Sequence, residues 1–371
     1  MRAGFDKWWL VPLGILAASA LVALGIIAFG PSLAGHAAAE VAQPVASEAA
    51  ADCPGASAND YACYQERYRD LARTSGVEVA FAELKDEYEK NDLVRYNCHQ
   101  LVHVMGRSAA ELYDDLSTTY AQGDEFCGSG YYHGAMEVFV AEIGADKMLE
   151  EADAFCADLG EHQKYSAYHR NCAHGLGHGF MGVLGNELFE SLYACDALTD
   201  GWEEDNCYDG VFMQNTMAEN DPNHPSKYLK ADRPLYPCTD VEARYKNRCY
   251  QRQTGYALKT QGNDFARVFD LCAKAEEDFR PACYQGLGRD AAGHQIQDSV
   301  SDAAITNSTG MLCRLGEDDE ARSNCVVGAV EHFIRHYHSD EQAKTLCGTF
   351  ETDLRILCLE TAEDYYESFQ T

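Results

Sequence analysis

A chain of 371 residues with 29 Lys and Arg against 60 Asp and Glu carries a formal net charge of −31. Such a surface repels nucleic acid and anionic lipid, so neither is an expected partner. Sixteen cysteines without a single C-x-x-C step exclude a thioredoxin-type redox pair, a zinc ribbon and a c-type haem attachment.

The first element concerns the membrane. Arg2 and Lys7 precede residues 8–30, a run of 23 residues without charge. That is long enough to cross a bilayer as a helix, and the flanking basic residues belong on the cytoplasmic side. The pattern predicts a cytoplasmic N-terminus over 1–7 and a transmembrane signal anchor over 8–30, with the membrane as its partner. A cleavable signal peptide is the rival reading, because Ala-rich sequence follows around Ala37 to Ala39. Its apolar region usually spans only about 7–15 residues. Either reading exports the rest of the chain to a periplasmic or extracellular space, where cysteines pair. Residues 31–52 are Ala-rich with two prolines and read as a flexible stalk. The folded domain is then 53–371.

Within it the cysteines keep a rhythm. Cys195 and Cys207, Cys238 and Cys249, Cys272 and Cys283, Cys313 and Cys325, and Cys347 and Cys358 each enclose ten or eleven residues. Cys53 and Cys63 enclose nine residues, and Cys156 and Cys172 enclose fifteen. The first members at 156, 195, 238, 272, 313 and 347 recur every 34 to 43 residues, the period of stacked helical hairpins. The second cysteine follows Asn at Asn171, Asn206 and Asn324, and Asn97 precedes Cys98. Asn caps helix starts, so each second cysteine is expected to open a helix. Gly130, Gly175, Gly210, Gly286 and Gly328 each stand three residues past a cysteine, which predicts close helix contact there. The expected fold is all-α: an α-solenoid-like array of about eight hairpins, each stapled at its turn by a disulfide. By elimination Cys98 pairs with Cys127. In period and hairpin logic alone the array resembles tetratricopeptide and Sel1-like solenoids, whose consensus residues it lacks. Residues 218–237 interrupt it with a proline-punctuated loop, read as a surface insertion, with a lid as the second reading.

The chemistry lies in the histidines. His99 and His103, His133 with Glu137, and His174 and His178 form three pairs at i, i+4 on successive helices. Each pair rises about 6 Å along one helix face. Imidazole and carboxylate are ligands for zinc, copper, iron or manganese where thiols are consumed in bridges. A helix N-terminus disfavours imidazolium, leaving the neutral form that binds metal. Measured from the second cysteine, His174 and His178 stand two and six residues on. The same positions carry Gln285 and Arg289 in a later unit, so the scaffold does not demand histidine. His99 and His103 stand one and five residues past Cys98, which in a shared register turns them by about 100°. His332 and His336 form a lone further pair, with His338 beside it, expected on an exposed or interhelical face. The phenols of Tyr131 and Tyr132 are expected in the core. The absence of H-E-x-x-H, G-x-S-x-G and phosphate-loop motifs removes zincin, serine-hydrolase and nucleotide chemistry from the expectations. A transition-metal protein, with metalloenzyme chemistry on an unknown substrate, is the leading expectation. The alternative is a metal-free scaffold that binds a protein or a glycan through a solenoid surface.

Overall fold

The computed structural model describes residues 53, 58–157, 166–218, 226–299 and 301–370. The N-terminal segment, anchor and stalk expected over 1–52 lie outside the described residues. Among those described, no helix is long and apolar enough to cross a membrane.

Sixteen α-helices and no strand occur among the described residues. They are α1 (Ala58–Thr74), α2 (Val77–Lys90), α3 (Asp92–Tyr113), α4 (Leu116–Ala121), α5 (Gly130–Ile143), α6 (Ala145–Ala157), α7 (Ala167–Val183) and α8 (Leu188–Cys195). There follow α9 (Gly201–Met217), α10 (Ala243–Thr260), α11 (Phe265–Cys272), α12 (Arg280–Asp298), α13 (Asp302–Cys313), α14 (Asp319–Tyr337), α15 (Glu341–Gly348) and α16 (Thr352–Gln370).

The helices begin earlier than the Asn-Cys steps suggest. The capping side chains are Asn91, Ser166, Asp200 and Asp318, which accept from backbone N–H groups of α3, α7, α9 and α14. Each satisfies a donor that the first turn leaves free. The asparagines before the cysteines lie inside these helices instead. Asn97, Asn206 and Asn324 donate to the carbonyls of Leu93, Trp202 and Glu320, four residues back. An Asn amide serves a helix in either way, and the upstream cap decides which.

All sixteen cysteines are joined: Cys53–Cys63, Cys98–Cys127, Cys156–Cys172, Cys195–Cys207, Cys238–Cys249, Cys272–Cys283, Cys313–Cys325 and Cys347–Cys358. Five of the bridges staple consecutive helices, at α6–α7, α8–α9, α11–α12, α13–α14 and α15–α16. Cys53, Cys127 and Cys238 lie outside helices, so the other three bridges tie a helix to a neighbouring loop. Bridges of this kind suggest an oxidising, extracytoplasmic setting.

The long helices α3, α5, α7, α9, α10, α12, α14 and α16 pack against one another in chain order, backed by the shorter ones. All eight line one cavity of about 1100 Å³. The layer returns on itself around that cavity. Helix α12 touches α3, and His338 Nδ1, past the end of α14, lies 3.0 Å from Glu125 Oε2 before α5.

Glycines set the closest crossings. A Cβ at Gly134 of α5 would overlap the His103 carbonyl, and one at Gly210 of α9 the His174 carbonyl. No other residue lets these backbones touch, and the contact brings Glu137 beside His103 and Asp209 beside His174. Of the loop expected at 218–237, residues 218 and 226–237 are described. That part packs on the outer side, where Tyr228 donates to Glu187 and stacks edge-on against Phe189 of α8. None of its described residues lines the cavity.

Candidate metal centre

Five imidazoles from three neighbouring helices meet at one wall of the cavity. His99 and His103 come from α3, His133 from α5, and His174 and His178 from α7. His133 lies between the two pairs, with ring centroids 5.4 Å from both His99 and His103, 4.5 Å from His174 and 4.8 Å from His178. The one-residue offset of the α3 pair does not turn it away. His99 and His174 are each seven residues past the first residue of their helix, at Asp92 and Ala167. The cysteine was the wrong origin to count from.

Hydrogen bonding assigns the proton on most of these rings. His99 Nδ1 is 2.7 Å from the Cys127 carbonyl, and His103 Nδ1 is 3.0 Å from Glu137 Oε1. His178 Nδ1 is 2.9 Å from Gln214 Oε1. An oxygen of this kind only accepts, so in each neutral ring Nδ1 carries the proton and Nε2 the lone pair. His174 Nδ1 lies 3.0 Å from Asp209 Oδ2, an ion-pair distance with the ring N–H poorly aligned. The consequence is unusual. His99 Nε2 and His103 Nε2 face each other at 3.1 Å, and His174 Nε2 and His178 Nε2 at 3.2 Å. In the His99/His103 pair these are two lone pairs, which repel at that distance unless a proton or a cation stands between them, and the charge of Asp209 beside His174 Nδ1 favours the same arrangement in the second pair.

A proton is opposed by burial. His103, His133, His174 and His178 are each 3 % exposed or less. Burial, and then the neighbouring His103, pushes His99 down to about 3. Burial takes His174 to about 4 against the pull of Asp209. His133 and His178 are held well below the ordinary histidine range by burial and the surrounding imidazoles. The helix dipole has little part in this, because its effect fades within the first turn and only His133 sits there.

A cation fits the spacing. Two ligands bound at about 2.0–2.1 Å stand about 2.9 Å apart at a right angle and about 3.3 Å apart in a tetrahedron. Three sets of potential ligand atoms lie within 4.8 Å of one another: His99, His103 and His133; His133, His174 and His178; and His103, Glu137 and His178. His133 belongs to two of these sets, and its Nδ1 is a buried atom with no hydrogen-bond partner among the described residues. These histidine groups can therefore hold a metal ion.

Glu137 is engaged already. Its carboxylate accepts from His103 Nδ1 and, at 2.6 Å, from Arg107 Nη1. Burial works upward on it, but Arg107 and then His103 draw its pKa down to about 2. Asp209 is the counterpart on α9. Arg252 and His174 hold it well below the carboxylate range despite burial. A carboxylate behind a ligating histidine orients the ring and raises its basicity.

Asp209 and Gln214 are residues that sequence reasoning missed. Their signal was available. The partners His103–Glu137, His174–Asp209 and His178–Gln214 are separated by 34 to 36 residues, one repeat, because each ring reaches to the next inner helix. The remaining candidates fall elsewhere. Tyr131 donates to the Thr119 carbonyl and Tyr132 packs on Tyr120 and Tyr168, as core residues. His332 and His336 do face the cavity, yet their ring centroids are 6.3 Å apart and they join none of the three ligand sets.

The chain matches no protein-family model, no curated protein and no solved structure, so the chemistry of the site has to be read from its own atoms.

Proposed function

We propose that this chain is a membrane-anchored extracytoplasmic protein whose helical-repeat domain holds a transition-metal ion through His99, His103, His133, His174 and His178. The facing Nε2 atoms of His99/His103 and His174/His178 carry this reading. An all-imidazole donor set suits zinc, copper or iron, with manganese less well matched and calcium or magnesium poorly matched. Five histidines with His133 at their centre accommodate one ion with solvent, or two ions sharing the pocket. Glu137 and Asp209 serve the site from behind as orienting groups.

The centre opens on a cavity of about 1100 Å³, room enough for a substrate. An ion with an open coordination position there would supply hydrolytic or oxidative chemistry, making the protein a metalloenzyme. The test is the metal content of the purified full chain after expression with zinc, copper, iron and manganese supplied. Stoichiometric metal in the parent, lost in a folded His174→Ala/His178→Ala variant, supports the reading. A parent that purifies without metal and takes up none on addition contradicts it.

A further inference from the structure

The cavity wall beyond the histidines is built of arginines. Arg170, Arg248, Arg252, Arg289 and Arg335 all line it, in a chain whose net charge is −31. Three of them have partners that account for their position. Arg252 pairs with Asp209, Arg248 with Asp205 and Arg289 with Asp290.

Arg170 and Arg335 are different. Their side chains are 30 % and 26 % exposed, so each reaches the cavity from a largely enclosed position. Among the described residues the nearest carboxylate to each is 3.9 Å away. For Arg170 it is Asp209, which Arg252 and His174 already occupy, and for Arg335 it is Glu331. Among the described residues neither guanidinium donates a hydrogen bond. Burial, and then the positive field of Arg335, holds Arg170 below its usual value. A guanidinium is a planar fork of five donors and cannot shed its charge. Arg335 also lies over the Tyr365 ring, 5.7 Å from its centroid. Two such forks on the wall of one cavity, each with only a 3.9 Å contact to a carboxylate, leave donors open to an anion. Arg170 stands four residues before His174 on α7, on the same helix face as the histidine pair.

We propose that Arg170 and Arg335 together bind an oxyanion group, a phosphate, sulfate or carboxylate, placing a small anionic molecule beside His174. Guanidinium meets such groups through two parallel N–H···O bonds, which gives both strength and orientation. That this molecule is the substrate of the metal centre rests on the function proposed above; that the arginines bind an anion does not.

The test uses the full chain in metal-free and metal-loaded forms, titrated calorimetrically at constant ionic strength with inorganic phosphate, sulfate or succinate against a chloride background. Saturable binding of at least one anion to the metal-free form is expected, weakened at least tenfold in Arg170→Gln and in Arg335→Gln. Arg335→Lys, which keeps the charge but loses the fork, should fall between. The tetrahedral anions outbinding succinate would assign a phosphate or sulfate group, and the reverse order a carboxylate. Both Gln variants should keep the parent's melting temperature and metal content. Anion binding by a parent that holds no metal would leave this site standing while removing the metal reading. Binding no stronger than chloride, binding unchanged in both Gln variants, or binding only when metal is present would overturn it.

Discussion

Two helix crossings in this molecule share one backbone plan and carry opposite chemistry. In the α7–α9 crossing Gly177 lies against the Cys207 carbonyl and Gly210 against that of His174. In the α12–α14 crossing Gly288 lies against Cys325 and Gly328 against Gln285. Both crossings carry a disulfide at the same end, Cys195–Cys207 for α9 and Cys313–Cys325 for α14. The two inner faces then diverge. Gln285 stands where His174 does and completes its own hydrogen bonds, accepting from Gln251 at 3.0 Å and donating to Asn324 at 3.1 Å. His174 instead sets its Nε2 3.2 Å from that of His178. Glycine and cysteine are thus what the scaffold requires, and the residues between them are free to vary. One crossing satisfies itself, while the other carries histidines that can hold a cation.

That contrast can be broken experimentally. The largest effect expected is on metal content. His174→Ala/His178→Ala should lose the bound ion, whereas Gln285→Ala should keep all of it, by elemental analysis of folded protein. Equal loss in both would mean that metal reports general integrity and not the site. Next come the glycines. Gly210→Ala and Gly328→Ala each force a methyl into a backbone contact, and both should destabilise the fold by about 1–3 kcal/mol in chemical denaturation. Metal affinity should fall only for Gly210→Ala. A comparable fall for Gly328→Ala would remove the distinction between the crossings.

A smaller effect is expected behind the ligands. Asp209→Asn should lower metal affinity by about 10–100-fold through loss of the orienting carboxylate, measured by competition with a chelator. An unchanged affinity would show that His174 is held by packing alone. The smallest effect, counted per group, is in pH. His174 and His99 are neutral when folded down to about 4 and about 3, against an ordinary histidine value of 6.5. The unfolded chain binds protons first as pH falls below 6.5, so the metal-free fold loses stability between there and pH 4. At pH 5.5 the loss is about 1 kcal/mol for each such histidine. A melting temperature of the metal-free protein that is flat from pH 7 to 5 would contradict the buried, neutral state. Gln285 and its partners do not titrate there and contribute nothing to the slope.

Much of the architecture was legible in the cysteine period. Spacing leads to seven of the eight bridges and elimination to Cys98–Cys127, and the glycine three residues on marks the close crossings at Gly210 and Gly328. The helix starts were not legible from Asn-Cys, because a helix-interior Asn that donates to a carbonyl four residues back looks identical in sequence to a capping Asn. Asn91, Ser166 and Asp318 carried the true signal upstream. The five histidines and Glu137 could be read as i, i+4 pairs. Asp209 and Gln214 were missed because their signal is a separation of one repeat from His174 and His178 and not a local pattern. The arginines of the far wall were invisible for a plainer reason. Nothing in a linear reading says that α14 returns to face α7 across a shared cavity.

X-ray absorption at the edge of the bound metal tests the central claim most directly. The account predicts a first shell of nitrogen at about 2.0–2.1 Å with the multiple scattering of imidazole and no sulfur. That imidazole scattering should vanish in His174→Ala/His178→Ala. A first shell made of oxygen or sulfur without imidazole, in the parent protein, would contradict it.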